Sequence, residues 1–245
     1  MSRWVIRLST FSSLLLLYFV SSLPAEVITP LRYPPGLERG DQYRLFFTTS
    51  QFRDATASNL SVYDDFVQSV ADAAPVVGSW DIEWQAVVSN SRVDARDHTG
   101  TNGNVTAGAP IYLLDGSLMA PNYLQLWSPQ KVTQLQLLLT ELGTELENTP
   151  PGPGQGRPVW TGTASNGVSS FGIGEDWVTT GVAAGQAPDW FSFGLDRRRV
   201  ENPFYAISET LTVPEPGESI LFLTSLPLFL LLRKPLTSCN EGLKR

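Results

Sequence analysis

Two apolar runs bracket the chain, Leu8 to Val20 near the front and Ser219 to Leu232 near the back, and between them the hydrophobic period changes several times. Tyr43 to Thr49 is dense in aromatic and β-branched residues and predicts an early strand. Tyr63, Phe66, Val67, Val70 and Ala74 then recur at spacings of three and four, which predicts an amphipathic helix that Ser58-Asn59 can cap and Pro75 stops. Trp84 to Val88 reads as a strand, and Ile111 to Leu114 with Ser117 to Met119 reads as a hairpin around Asp115-Gly116.

Beyond the hairpin, Thr133 to Glu147 is apolar enough for a helix or helical turn, and the Pro150 to Gly154 run forces an exposed loop. Val159 to Thr163 and Phe204 to Val213 supply further strands. Ala164 to Gly185 has few periodic apolar residues, so long irregular connections are expected there, carrying Trp177. The sum is an α+β domain: a small mixed sheet, one or two helices and long irregular loops, flanked by N-terminal and C-terminal apolar helices.

The ends carry their own logic. Residues 1–25 open with Arg3 and Arg7, pass through the first apolar run and finish in small residues, the layout of a signal peptide. Cleavage after Ser22 or after Ala25 fits equally; an uncleaved anchor would want a longer run. At the back, Val213-Pro214-Glu215-Pro216 precedes the second apolar run, which Arg233-Lys234 closes. The prolines break any element arriving from the domain, the apolar stretch partitions into a bilayer, and the basic pair stays cytoplasmic. The organisation expected is therefore a signal at 1–25, an exported domain at 26–213 and a sorting and anchoring tail at 214–245.

Charge narrows the partners. Between Glu26 and Val213, 11 Lys and Arg face 21 Asp and Glu, a formal charge of −10. A surface this acidic argues against polyanions as partners, nucleic acid above all. The lone Cys239 lies in the tail, so the domain has no intrachain disulfide and its stability comes from packing.

The motif, apolar run and basic pair together resemble the PEP-CTERM sorting signal of exported bacterial proteins. That resemblance implies an export translocon, an exosortase-type transpeptidase cutting near Pro214-Glu215-Pro216, and delivery to the cell surface or extracellular matrix through a membrane-anchored intermediate. The run is short, contains Pro227, and is followed by Pro235 to Arg245, which departs from the family pattern. In the middle, Arg53-Asp54-Ala55, Trp84-Gln85-Ala86, Val93 to Asp97, Pro110 to Gly116 and Val159 to Thr163 resemble, as an ordered set, the C-type-lectin-like domains of bacterial surface proteins. That likeness implies paired first and last strands with a long loop region. The sugar-binding calcium motif of that fold is not matched, since the nearest string is Ala120-Pro121-Asn122.

Candidate chemistry is sparse. The single histidine, His98, sits beside Asp97 in a polar segment and reads as a solvated loop residue, which leaves a Ser-His-Asp or Cys-His arrangement without support. Asp94, Asp97, Asn102 and Asn104 offer hard oxygen ligands among glycines, a candidate calcium loop at Asp94 and Asp97 or an ordinary set of Asx turns. Glu175-Asp176 beside Trp177 is the only carboxylate pair singled out for glycoside hydrolysis, and adjacent acids on a loop are usually just solvated. Trp127, Trp160, Trp177 and Trp190 would stack on sugar rings if they reached the surface, Trp177 and Trp190 being the better placed among Gly, Asp and Pro. The function expected is a non-enzymatic surface or matrix module for extracellular polysaccharide or matrix protein, with a secreted carboxylate-dependent hydrolase as the rival.

Overall fold

The computed structural model describes residues 27–128, 137, 139–146, 157–185 and 189–215. Residues 1–25, expected to be a signal peptide, and the apolar run from Ser219 to Leu232 fall outside them. Among the described residues no helix is long and apolar enough to cross a membrane.

The architecture is mixed α+β, mostly sheet with few helices. In chain order it runs β1 (Gln42–Thr48), α1 (Ser61–Ala73), a 3-10 turn (Val77–Trp80), β2 (Trp84–Ala86), α2 (Ala95–His98), β3 (Ile111–Leu113), β4 (Leu118–Ala120) and α3 (Tyr123–Leu126). Then follow β5 (Pro158–Trp160), β6 (Trp177–Val182), β7 (Gly194–Arg197), β8 (Tyr205–Ser208) and β9 (Leu211–Thr212). One sheet has the order β2-β8-β1-β3-β4, with β9 pairing the start of β1; the other is β5-β6-β7.

β1 occupies the middle and is buried on both faces: every residue from Tyr43 to Thr48 is buried. Phe46 meets Tyr205 at 5.3 Å and Phe47 meets Trp84 edge-on at 4.7 Å. Its partners are β3, parallel, and β8 and β9, antiparallel. The parallel pair needs a long crossover, and the chain makes it through α1, β2 and α2.

α1 follows its predicted stripe, burying Tyr63, Val67, Val70 and Ala71, and Asn59 Oδ1 accepts the Ser61 N–H at 3.2 Å before it. Its polar side chains also close the outer edge of the larger sheet. Gln68 Oε1 accepts the Trp84 N–H at 2.8 Å and Asp64 Oδ1 accepts the Ala86 N–H at 2.9 Å, so β2 presents no bare donors there. The β3–β4 hairpin forms as its Asp-Gly pair predicts, with Gly116 at φ 85° and Asp115 Oδ1 accepting the Ser117 N–H at 2.8 Å.

Three expectations are corrected. The described part of 133–147 is not helical: Leu139 bridges Glu145, Thr140 bridges Thr48, and the Thr140 N–H donates to Thr144 O at 2.9 Å. β-branched Thr140 and Thr144, with Gly143 at φ 72°, favour that tight β-type turn over a helix. The stretch 164–185, expected to be irregular, contains β6, whose run Val178 to Val182 is buried on both faces and so shows no alternation to detect. The segment 204–213 is two strands, β8 and β9, divided at Glu209-Thr210.

Candidate functional site

Of the loop residues singled out by sequence, Asp97, Asn102 and Asn104 are linked by hydrogen bonds, while Asp94 reaches out of the loop to Ser169. Asp94 Oδ1 accepts the Ser169 N–H at 2.8 Å and its Oδ2 lies 3.4 Å from Arg96 Nη2. Asp97 Oδ1 accepts from Asn102 Nδ2 at 2.6 Å, and Asn102 Oδ1 accepts the Asn104 N–H at 3.1 Å. Among the described residues no group of three or more His, Cys, Asp or Glu converges as a cation would need. Asp94 thus ties the loop to Ser169, and Asp97 holds Asn102.

His98 is also corrected. It is mostly buried, and its Nε2 lies 3.0 Å from Asp64 Oδ1, which ties α2 to α1.

Of the tryptophans, Trp190 is fully buried with Nε1 donating to Gly185 O at 2.9 Å, so it is a core residue and not a ligand platform. Trp160 is equally buried and Trp127 nearly so. Trp177 alone among these four is 44% exposed. Asp176 of the candidate carboxylate pair is 3.2 Å from Arg198 Nη2. Val213 still belongs to the fold, its N–H donating to Asp41 O at 3.0 Å, while Pro214 and Glu215 are exposed beyond it. Pro216, Arg233 and Lys234 lie outside the described residues.

Asn102 and Asn104 line a cleft of ≈ 180 Å³ together with Arg96, Gly103, Tyr123, Leu124, Trp127 and Asn166. Its two sides come from distant parts of the chain, joined where the Arg96 N–H donates to Gly167 O at 3.3 Å. Gly103 is required by close approach: a Cβ there would stand 2.5 Å from the Leu124 nitrogen. Trp127 is held as a fixed wall by Nε1 donating to Thr101 O at 3.1 Å and Oγ1 at 3.0 Å, and by Phe191 at 4.7 Å. Asn122 Oδ1 caps α3 by accepting the Gln125 N–H at 2.8 Å, which sets Tyr123 and Leu124 on the other side.

The cleft holds unused hydrogen-bonding capacity. Among the described residues Arg96 Nε is buried without a partner, and its Nη2 lies 3.4 Å from Asp94 Oδ2. Among the described residues the Asn104 side-chain amide has no partner, and Asn166 uses only its Oδ1, which accepts the Val168 N–H at 3.1 Å. A cleft lined by side-chain amides, an arginine and apolar side chains suits a small polyhydroxylated group. Sequence reasoning missed Arg96, Tyr123 and Asn166 as site residues. Asn166 had a local signal, an Asn-Gly turn, but nothing local placed it beside Asn104.

A second feature lies at Glu141, which is 2% exposed and accepts from both the Ser50 N–H, at 2.9 Å, and the Ser50 hydroxyl. Burial raises its pKa, with the Ser50 bonds opposing. The folded state therefore holds a proton that the unfolded chain releases first as pH rises. Stability falls as pH climbs from the ordinary glutamate value through the raised one. Denaturant midpoints followed from acid to neutral pH should show that decline, and Glu141→Gln should remove its share of the slope.

No protein-family model matches this chain, and no curated protein matches it in sequence.

Proposed function

We propose that the chain is an exported cell-surface or extracellular-matrix protein, brought out by a signal peptide, processed by an exosortase-type enzyme, and carrying a C-type-lectin-like domain that binds extracellular polymer. The cleft carries the binding half of the reading. Arg96 and the spare amide groups of Asn104 and Asn166 line it together with Tyr123, Leu124 and Trp127, a mixed polar and apolar lining suited to one glycosyl unit of a chain.

Delivery is supported by where the fold lets go. The Val213 N–H makes a backbone bond to Asp41, and the Pro-Glu of the sorting motif follows at once, exposed and extended for an enzyme to grip. Pairing of β1 with β8 and β9, first strand with last, supports the lectin-like reading.

A glycan array probed with the protein released from its host tests the binding half. The double substitution N104A/N166A removes two neutral hydrogen-bonding groups, each worth about 0.5–1.5 kcal/mol, and should weaken the best ligand by roughly 5- to 150-fold. Unchanged affinity would sink the cleft as the site. Mass spectrometry of the exported form should show a C terminus near Pro214; intact chain recovered from the cytosol would overturn delivery.

A further inference from the structure

We infer that the polymer carries carboxylates, and that the β6–β7 face is a second contact that reads them; this rests on the reading of the domain as a polysaccharide-binding module. β7 is the outer strand of its sheet and, among the described residues, pairs only with β6. Trp177 stands directly opposite Arg197 in the register, and the guanidinium lies 4.1 Å from the ring centroid. Stacking of that kind restrains the guanidinium, and among the described residues no hydrogen bond or ion pair takes up its edge donors. Leu195 on the same strand and Phe193 just before it, 45% and 57% exposed, continue the apolar surface.

Arg197, Arg198 and Arg199 line a depression of ≈ 320 Å³, with Asp176 the one acid among the described residues that line it. Arg198 is committed, to Asp176 at 3.2 Å and to Gly174 O at 2.8 Å. Arg199 has no partner among the described residues. Of the nearby acids, Asp196 accepts from Asn202 Nδ2 at 3.2 Å and alternates to the other side of the strand from Arg197, while exposed Glu175 and Glu201 flank the depression without lining it. Two guanidiniums beside a half-exposed indole match a sugar ring that offers a C–H face to the part of Trp177 that Arg197 leaves uncovered and a carboxylate to Arg197 or Arg199.

Charge density selects among anions. A domain of formal charge −10 repels a polyanion in proportion to how closely its charges are spaced. Duplex DNA carries one charge per ~1.7 Å, and anionic membranes are held by clusters of about 4–8 basic residues, more than this face supplies. A polyuronate, with one charge per sugar ring, is the anion the face can hold.

The test is titration of the purified full chain with polygalacturonate, its methyl ester and dextran, alongside duplex DNA and anionic phosphatidylserine vesicles. Polygalacturonate should bind more tightly than its methyl ester and lose affinity with salt. R197Q/R199Q should cost about tenfold for the acid form, as expected of two exposed charge-assisted contacts, and leave the ester unchanged. W177A should weaken both forms. Equal binding of acid and ester, indifference to R197Q/R199Q, or tighter binding of DNA or vesicles would overturn the inference. If dextran or another neutral glycan is held in an N104A/N166A-sensitive way while polygalacturonate is not, the inference falls and the proposed function stands; if no glycan is held, both fall.

Discussion

Trp160→Ala is expected to lower the unfolding free energy by about 3–5 kcal/mol, the cost of removing a large aromatic from a packed core. Trp160 is fully buried, its Nε1 donates to Arg53 O at 3.0 Å, and its backbone N–H donates to Pro203 O at 3.0 Å. It belongs to β5 yet bridges Phe204, at the entrance to β8, so it is the joint between the two sheets. Typical domains are stable by about 5–15 kcal/mol, so the loss would remove a large share of the margin. Trp160→Phe keeps part of the ring packing, and the Arg53 carbonyl still accepts the Asn202 N–H at 3.1 Å, so the cost should be smaller, about 1–3 kcal/mol. Urea denaturation of the three proteins gives the ranking; an alanine variant within 1 kcal/mol of the parent, against the ~3 expected, would mean that the joint lies elsewhere.

Arg44→Ala should cost nearly as much, about 3 kcal/mol, for a different reason: two charge-assisted hydrogen bonds of about 1.5–3 kcal/mol each are lost, partly offset by relief of the buried charge. Arg44 is 3% exposed on the central strand. Its Nε donates to Ser208 O at 2.6 Å, its Nη1 donates to Thr99 O at 2.7 Å, and its guanidinium lies 5.8 Å from the Tyr123 ring centroid. Burial lowers its pKa, with Tyr123 and then Glu209 opposing. The guanidinium thus ties β1, β8, the loop after α2 and the start of α3 together. Because Thr99 and Tyr123 lie beside the cleft, Arg44→Ala should also loosen glycan affinity. Arg44→Met separates the effects: it keeps the packing volume and should recover part of the stability while leaving both carbonyls unpaired. Recovery to the parental value would show that the hydrogen bonds contribute little net.

Much of the frame was legible from residues close in sequence. The α1 stripe, the Asp115-Gly116 hairpin and the aromatic density of β1 are local patterns, and each produced the element it predicts. The failures share a cause. β6 is buried on both faces and so carries no period, Thr140 to Thr144 turns because β1 offers it a bridge, and β7 is a polar edge strand that exists through its pairing with β6. Trp190 and Trp177 sit in similar local settings of Gly, Asp and Pro, and only packing decided that one is core and the other half-open.

The sequence by itself determined the class: an acidic α+β domain without cysteine, with apolar runs on either side, because composition and short-range period are properties of neighbours along the chain. Tertiary structure decided what the loop residues do. Asp94 meets Ser169, Asn104 faces Asn166 across a cleft, and Arg197 lies over Trp177, all through contacts between residues some 20 to 75 positions apart. No local pattern encodes such meetings, since they depend on which strands pair and in what register.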